Sequence, residues 1–204
     1  MILAQKVGDD MKDINELLKK YNYITPEIAK KYGISKYLFY KYVRENNLEQ
    51  VNHGIYITED TWIDDLYILH KRCPNAVFSH DEAFYYHGLT DREPIIHTLT
   101  IYSGYNSHRL IEDGKCKVYT VKKELLDIGK ILVKNNYGNE IPMYDLERSV
   151  CDLIRSRNLI EIQEFNSVLK TFVLRKDKNL NRLMKYAEYF KVQNIVRKYM
   201  EVLL

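Results

Sequence analysis

Histidines and carboxylates gather in one stretch of the sequence and raise the question of a metal site. The residues concerned are His80, His87, His97, Asp81, Glu82 and Asp91. A protein-bound metal is held by such groups, usually at short spacings such as HExxH or CxxC. Neither spacing occurs here, and the cysteines at 73, 116 and 151 are scattered. We therefore predict hydrogen-bonded structural histidines, with no metal and no cofactor.

A second candidate for chemistry is the triplet Asp113-Gly114-Lys115, with Asp91 upstream. It is a faint match to the carboxylate–carboxylate–lysine pattern of metal nucleases, in which two carboxylates share one Mg²⁺ and the lysine lies beside the attacked phosphate. Here the triplet lies in a polar turn. The sequence also lacks a phosphate-binding GxxxxGK[ST] loop, a GxGxxG after a strand and a GxSxG. We predict no catalytic residues and a protein that is not an enzyme.

The net charge is only +3, but the basic residues are concentrated in two segments. Seven basic residues and the single acid Glu27 lie between Lys19 and Arg44. Nine basic residues and two acids lie between Lys170 and Lys198. Local stripes of this kind suit contact with phosphates, although a solvated helix surface is the alternative interpretation. For the second segment we predict a secondary contact, with nucleic acid or with another partner. Its proposed residues are Lys176, Arg182 and Lys185.

The elements that must position the first basic stripe are three helices and a hairpin. Apolar spacing predicts a helix from Met11 to Lys20. Thr25-Pro26 predicts the start of the second helix and Gly33 its end. Ser35 caps a third helix to about Asn46, and apolar runs around Gly54 predict a hairpin from Leu48 to Ile57. This order is that of a winged helix-turn-helix.

The third helix has an apolar face and a basic face. Its apolar residues are Leu38, Phe39, Tyr42 and Val43. The opposite face carries Lys36, Tyr37, Tyr40, Lys41 and Arg44 and no acid. Lysine and arginine can donate to guanine edges and phosphates, and tyrosine can contact thymine methyls or sugars. We predict that this face binds double-stranded DNA, with partial burial as the alternative for the two tyrosines.

Three further residues complete the predicted DNA contact. Ser35 stands at the helix start, where free amides can receive a phosphate. Asn52 and His53 form the tip of the hairpin and are expected near the backbone or the minor groove. Because His53 stands where arginine or lysine would hold a phosphate more strongly, the affinity of the hairpin should be modest.

We predict an α+β protein, with a winged helix-turn-helix over residues 1–60 and a mixed α/β domain with C-terminal helices over 61–204. A helix from Trp62 to His70, with Ile63 inward, is expected between them. The predicted later elements are strands at 76–78, 95–102, 116–121 and 131–135, a strand ending near Tyr144, helices at 81–87 and after Asp145, and two or three more. No apolar run is long enough for a membrane span, and the first residues predict no secretory signal. With odd, scattered cysteines, this predicts a cytoplasmic protein without membrane contact.

Two segments resemble a known family. FSHDEAFYYHGLTD (Phe78–Asp91) and YDLERSVCDLI (Tyr144–Ile154) resemble parts of the C-terminal domain of AbiEi-type antitoxins, which belong to type IV toxin–antitoxin systems linked to abortive phage infection. The hairpin segment Gly54-Ile55-Tyr56 is similar as well. The likeness follows the same order over nearly the whole chain.

The resemblance implies an antitoxin that binds inverted repeats in its own promoter and represses the operon. It also implies a C-terminal domain needed for antitoxicity, and a neighbouring nucleotidyltransferase toxin that is counteracted without a stable complex. The secondary contact predicted at Lys176, Arg182 and Lys185 would then serve either nucleic-acid binding or the toxin pathway. We carry no catalytic residue over, and expect Glu147, Arg148 and Asp152 to form a buried charged network. The alternative is a ligand-responsive winged-helix regulator, whose second domain senses an effector.

Overall fold

A computed structural model of the chain describes residues 13–111 and 114–203. The chain divides into two units, and the boundary lies between Arg72 and Cys73. Within the described ranges, helices accompany one two-stranded and one five-stranded sheet, so the protein belongs to the α+β class. The boundary predicted from the sequence lies after residue 60, and residues 61–72 belong to the first unit, where they end in a helix.

The first unit contains four helices and a hairpin among its described residues. These are α1 (13–21), α2 (Pro26–Lys31), α3 (Lys36–Glu45), β1 (Glu49–Asn52), β2 (Ile55–Ile57) and α4 (Asp65–Arg72). The predicted helices α2 and α3 and the hairpin are confirmed, while Met11 lies outside the described residues. Ile14, Leu17 and Leu18 of α1 pack with Phe39 and Val43 of α3 in a small core.

Local signals explain where α2 begins and ends. The Thr25 hydroxyl accepts a hydrogen bond of 3.2 Å from the amide of Ile28, and Pro26 occupies the first turn, where no amide is needed. Gly33 follows the helix with a φ of +81°, which glycine adopts without the steric cost of a Cβ atom. The chain therefore turns sharply into α3.

The hairpin is joined to the helices through Ile24. β1 and β2 are antiparallel, with Glu49 opposite Ile57 and Gln50 opposite Tyr56. Ile24 forms an isolated antiparallel β-bridge with Tyr56 of β2, and the two residues exchange backbone hydrogen bonds of 2.8 and 3.0 Å. The α1–α2 connection thus holds the hairpin beside the helical core.

Helix α4 begins three residues later than predicted. The Asp64 carboxylate accepts a 3.0 Å hydrogen bond from the Tyr67 amide and so caps the helix start. Trp62 and Ile63 precede the helix and are exposed, Trp62 by 83%, so the prediction that Ile63 points inward was wrong. The Tyr23 hydroxyl donates a 2.8 Å hydrogen bond to the Tyr67 hydroxyl, which attaches α4 to the first unit.

The second unit combines a mixed sheet with a set of helices. Its strands are β3 (Val77–Phe78), β4 (His97–Tyr102), β5 (Cys116–Val121), β6 (Lys130–Lys134) and β7 (Glu140–Tyr144). Its helices are α5 (Asp81–Tyr86), α6 (His108–Ile111), α7 (Leu146–Arg155), α8 (Ile162–Leu174), α9 (Leu180–Tyr189) and α10 (Gln193–Leu203), with a 3₁₀ turn at Lys123–Leu125.

The five strands lie in the order β5-β4-β3-β7-β6. The β4–β5 and β3–β7 pairs are parallel, and the β3–β4 and β6–β7 pairs are antiparallel. The predicted strand at 95–102 begins only at His97, because the ladder starts where His97 faces Cys116. Ile95, immediately before it, is 89% exposed.

The core of the second unit forms around α7. Every residue of this helix except Arg155 is buried, including its charged ones, so it is surrounded by protein rather than half-exposed as an amphipathic helix would be. The predicted apolar row Phe165, Leu169 and Phe172 of α8 is confirmed as part of this core. None of the helices in the two described ranges is both long enough and apolar enough to cross a bilayer.

Candidate nucleic-acid interface

Helix α3 is capped and fixed on the core by one face. The Ser35 hydroxyl accepts a 3.3 Å hydrogen bond from the amide of Leu38. Phe39, Tyr42 and Val43 are buried, as predicted, and the Tyr42 hydroxyl donates to the side-chain oxygen of Asn15 in α1. With that face fixed, the opposite side of the helix presents its side chains to solvent.

The exposed side of α3 carries three of the predicted DNA-contacting residues. Lys36, Tyr37 and Arg44 are exposed, Tyr37 by 72%. Ser35 is exposed at the start of the helix. An ammonium, a phenol and a guanidinium therefore already extend into solvent from a helix that is fixed on the core.

Two residues of the predicted face are less available. Tyr40 is half-buried, with its ring edge-on to Phe39 at 5.1 Å and to Tyr56 of the hairpin at 6.3 Å. Its ring therefore packs between α3 and the hairpin, which supports the alternative of partial burial. The Lys41 ammonium lies 3.8 Å from the Glu45 carboxylate, so an acid borders the face that the sequence predicted to have none.

The hairpin tip is built by a tight turn. The Asn52 side-chain oxygen accepts a 2.7 Å hydrogen bond from the His53 amide, and Gly54 has a φ of +71°. His53 is exposed and Asn52 is half-buried. The turn thus offers the imidazole to solvent while the Asn52 side chain serves partly to shape the backbone.

Sequence reasoning missed an exposed cluster between α1 and the end of α2. The Tyr21 and Tyr32 hydroxyls lie 3.1 Å apart, and the Lys20 ammonium lies 3.4 Å from the Tyr32 hydroxyl. The hydrogen bond from Tyr21 and then that from Lys20 lower the pKa of Tyr32, and Tyr32 in turn raises the pKa of Lys20. Lys20 was counted in the basic stripe, but only the fold brings its ammonium to these phenols.

The predicted secondary contact is partly engaged within the protein. Lys176 and Lys185 are exposed. Arg182 is also exposed, but its guanidinium lies 3.3 Å from the Glu147 carboxylate of α7 and 4.0 Å from that of Asp145. Of the three proposed residues, Arg182 therefore serves first to join α9 to α7.

Each of the three candidate histidines has a hydrogen-bond partner, as predicted. The ring nitrogens of His80 lie 3.0 Å from the hydroxyls of Ser79 and Ser156. His87 Nε2 donates to the Tyr144 carbonyl at 2.7 Å, and His97 Nδ1 lies 2.5 Å from the Glu82 carboxylate. Burial lowers the pKa of His80 to about 3, so its ring is neutral.

Two sequence patterns were considered for chemistry, the histidine–carboxylate group and the Asp-Gly-Lys triplet, and neither corresponds to a site in the described part of the chain. Across residues 13–111 and 114–203, no three His, Cys, Asp or Glu side chains come together in a way that would hold a metal ion. Asp91 and Lys115 are exposed, and Asp113 lies outside the described residues. The faint nuclease pattern therefore remains only a sequence match.

The charged residues of α7 are buried, as expected, but they form two groups. Arg148 donates a 3.0 Å hydrogen bond to Asp152, which also lies 3.3 Å from Arg155. Glu147 points elsewhere and accepts from the Asn179 amide at 2.8 Å as well as pairing with Arg182. One group fixes the inside of the helix, and the other attaches the start of α9.

The exposed side of α3 carries groups that are suited to binding. Ammonium, guanidinium and phenol groups on α3 suit phosphates and base edges, and the caps at Thr25 and Ser35 hold the helices in place. Comparison with known proteins finds no family model that matches the chain and no characterised protein with significant similarity to it.

Proposed function

We propose that the first unit is a winged helix-turn-helix that binds double-stranded DNA through α3 and the β1–β2 hairpin. The observation that carries this proposal is the two-sided character of α3. Phe39 and Val43 hold the helix on the core, while Lys36, Tyr37 and Arg44 extend into solvent. An α-helix fits the major groove, which is about 12 Å wide, and such side chains can reach base edges and phosphates there.

The order of the elements supports the same proposal. A glycine turn connects α2 to α3, and a short hairpin follows within a few residues. In helix-turn-helix proteins the second helix of the pair lies in the major groove and the first crosses the backbone. The exposed His53 at the hairpin tip then supplies a contact beside the groove.

The biological role that we propose is that of an antitoxin and autorepressor in a type IV toxin–antitoxin operon. The protein would bind inverted repeats in its own promoter and counteract a nucleotidyltransferase toxin without forming a stable complex with it. The support is the resemblance of residues 78–91 and 144–154 to AbiEi-type antitoxins. We further propose that the chain acts in the cytoplasm and has no enzymatic activity of its own.

The DNA-binding proposal is tested by footprinting on the region upstream of the gene. Lys36→Ala, Lys41→Ala and Arg44→Ala should each weaken specific binding by about 1–3 kcal/mol where the side chain reaches a base edge. A matched control removes three lysines of the second unit, Lys122, Lys123 and Lys134, and keeps the same net charge as the triple variant. A triple α3 variant that protects the operator as well as the control does would refute the assignment.

The antitoxin proposal is tested by expressing the chain together with its neighbouring gene. Growth arrest by the neighbour alone, and recovery when both are produced, is the expected result. A neighbour that encodes a metabolic enzyme and causes no arrest would instead favour a ligand-responsive regulator. Repression of the promoter can be measured in the same strains with a reporter, so the two parts of the proposal are tested separately.

A further inference from the structure

One lysine and two tyrosines meet on the surface of the first unit, where α1 and α2 end. The Lys20 ammonium lies 3.4 Å from the Tyr32 hydroxyl, which in turn lies 3.1 Å from the Tyr21 hydroxyl. The same ammonium lies 5.2 Å from the centroid of the Tyr21 ring and 5.9 Å from that of the Tyr32 ring. Cation–π attraction to both rings therefore holds the end of a long side chain in one place.

This cluster carries more hydrogen-bond donors than it can use internally. A lysine has three N–H donors and each phenol has one O–H, which makes five in total. The three groups can form at most three hydrogen bonds with one another, so at least two of these protons face outward. Tyr32 is 48% exposed, so a ligand can reach the cluster from solvent. A negatively charged group with several acceptor oxygens suits such a set of donors.

The charges around the cluster also favour an anion. The hydrogen bonds with Tyr21 and then with Lys20 lower the pKa of Tyr32, and the charge of Lys31, its neighbour in the chain, adds to this effect. The carbonyl ends of α1 and α2 oppose an anion here, with about half a negative charge for each helix. The two full positive charges of Lys20 and Lys31 outweigh that contribution.

The exposed surface continues from the cluster to the start of α3. Tyr32 and Gly33 are exposed, Ile34 is buried, and the chain is exposed again from Ser35 to Tyr37. Tyr32 precedes Ser35 by three residues, so their Cα atoms are at most about 11 Å apart. The major groove is about 12 Å wide, and the phosphates of the two strands border it. With α3 in the groove, a phosphate at its edge therefore lies within reach of the cluster.

We propose that Lys20, Tyr21 and Tyr32 bind one phosphate of the DNA backbone at the edge of the groove that α3 enters. The ammonium would pair with the phosphate charge, and the outward O–H of the phenol pair would donate to a phosphate oxygen. Because phosphates carry no direct sequence information, this contact would fix the position of α3 rather than select bases. The inference rests on the proposed DNA-binding function and adds a contact from α1 and α2 to those of α3 and the hairpin.

The test measures binding of the full chain to its upstream region and to an unrelated duplex at several salt concentrations. Lys20→Gln should weaken both complexes by a similar factor of about three to ten, and should reduce the salt slope by about one. The double variant Tyr21→Phe/Tyr32→Phe should also weaken both complexes, but it should leave the slope unchanged because it removes no charge.

Lys71→Gln is the matched control. The Lys71 ammonium of α4 lies 4.9 Å from the centroid of the Tyr67 ring, so this change also removes one exposed charge and one contact with a tyrosine ring. It should change neither the affinity nor the salt slope. All of these variants keep the tyrosine rings or replace an exposed lysine, so their melting temperatures should match that of the wild type.

A chemical change in the DNA then identifies the phosphate. Duplexes of the upstream region, each with one phosphate replaced by an uncharged methylphosphonate, are compared with the unmodified duplex. At the contacted position, the replacement should weaken the wild-type and Lys71→Gln complexes equally. It should have little further effect on Lys20→Gln, because the two changes remove the same contact.

Two results would overturn the inference. The first is that Lys20→Gln binds both duplexes as Lys71→Gln does. The second is that no methylphosphonate position depends on Lys20. If the triple α3 variant binds normally while Lys20→Gln does not, the assignment of α3 is wrong and the phosphate contact stands. The converse result overturns only the phosphate contact, and a wild-type chain that binds no duplex would remove both.

Discussion

Arg148 Nε donates a 3.0 Å hydrogen bond to Oδ2 of Asp152, and neither side chain is exposed to solvent. The guanidinium carbon also lies 3.9 Å from the Tyr144 ring centroid and 4.0 Å from that of Phe190. Nη1 donates to the carbonyls of Leu125 and Ile128 in the turn before β6. A single buried arginine thus connects α7, the β6–β7 side of the sheet and the end of α9.

This pair predicts an unequal response to mutation. Asp152→Asn leaves the Arg148 charge buried without its carboxylate and should lower the free energy of unfolding by about 3–5 kcal/mol. Replacing both residues with apolar ones, Arg148→Met with Asp152→Leu, removes the charge as well and should cost less than the single change. Urea unfolding of both variants measures the difference. A double variant less stable than Asp152→Asn would contradict this account of the pair.

Gly129 predicts a second large effect at the same arginine. Its φ is +74°, and a Cβ atom added there would lie 2.5 Å from the Cβ of Arg148. Gly129→Ala should therefore cost the strain of the backbone and, in addition, about 1–3 kcal/mol of overpacking. Gly138→Ala is the matched control, because its φ is +80° and nothing lies within 4 Å of an added Cβ. Equal melting temperatures for the two variants would refute the packing contribution.

The burial of His80 predicts that acid destabilises the protein. Its pKa falls to about 3 in the folded chain, below the ordinary histidine value near 6.5. Below pH 6.5 the unfolded chain takes up a proton that the folded chain does not, so stability falls by up to about 1.4 kcal/mol per pH unit. His80→Asn should be less stable at neutral pH, because it loses the stacking on Tyr119, yet its stability should change less between about pH 6.5 and pH 4. Parallel pH profiles for the two proteins would show that another group causes the loss.

The helix caps could be predicted from the sequence because their signals are local. Thr25, Ser35 and Asp145 each accept a hydrogen bond from the amide three residues later, as their positions before apolar periodic segments indicated. The β6–β7 hairpin was also predictable, since its turn residues lie between two short apolar runs. Each of these features depends on a few neighbouring residues.

The features that the sequence did not reveal depend on distant residues. Tyr40 is half-buried because Tyr56 of the hairpin packs against it, and the helical pattern of α3 alone cannot show this. Arg182 is engaged by Glu147, thirty-five positions earlier in the chain.

Because Arg182 pairs with carboxylates of its own unit, charge reversal should affect stability at Arg182 and DNA affinity at the exposed lysines of the C-terminal basic segment. Lys176→Glu with Lys185→Glu changes two exposed residues and should lower DNA affinity at low salt for every sequence, without loss of stability. Arg182→Glu should instead destabilise the second unit, because it adds a negative charge beside Glu147 and Asp145. Binding at several salt concentrations, together with thermal unfolding, separates the two effects. Unchanged affinity in the lysine double variant would leave the segment as a solvated surface.

The last prediction is that repression and antitoxicity can be separated. The proposed DNA contacts lie on α3 and the hairpin, whereas the resemblance places antitoxicity in the second unit. Tyr37→Ala, Lys41→Ala and Arg44→Ala change side chains outside the α3 core, so each should alter stability by no more than about 0.5 kcal/mol. The triple variant should lose operator binding and derepress a promoter reporter, yet still restore growth to cells that produce the toxin.

The converse variant ends the chain after about Glu161. It removes α8, α9 and α10 and exposes the core around α7, so the second unit should unfold and rescue should disappear. The first unit keeps its own core of Ile14, Leu17 and Phe39, although a core of that size gives only marginal stability. Loss of rescue in the triple α3 variant, with an unchanged circular dichroism spectrum, would show that antitoxicity acts through DNA binding. The assignment of the two activities to separate units would then be wrong.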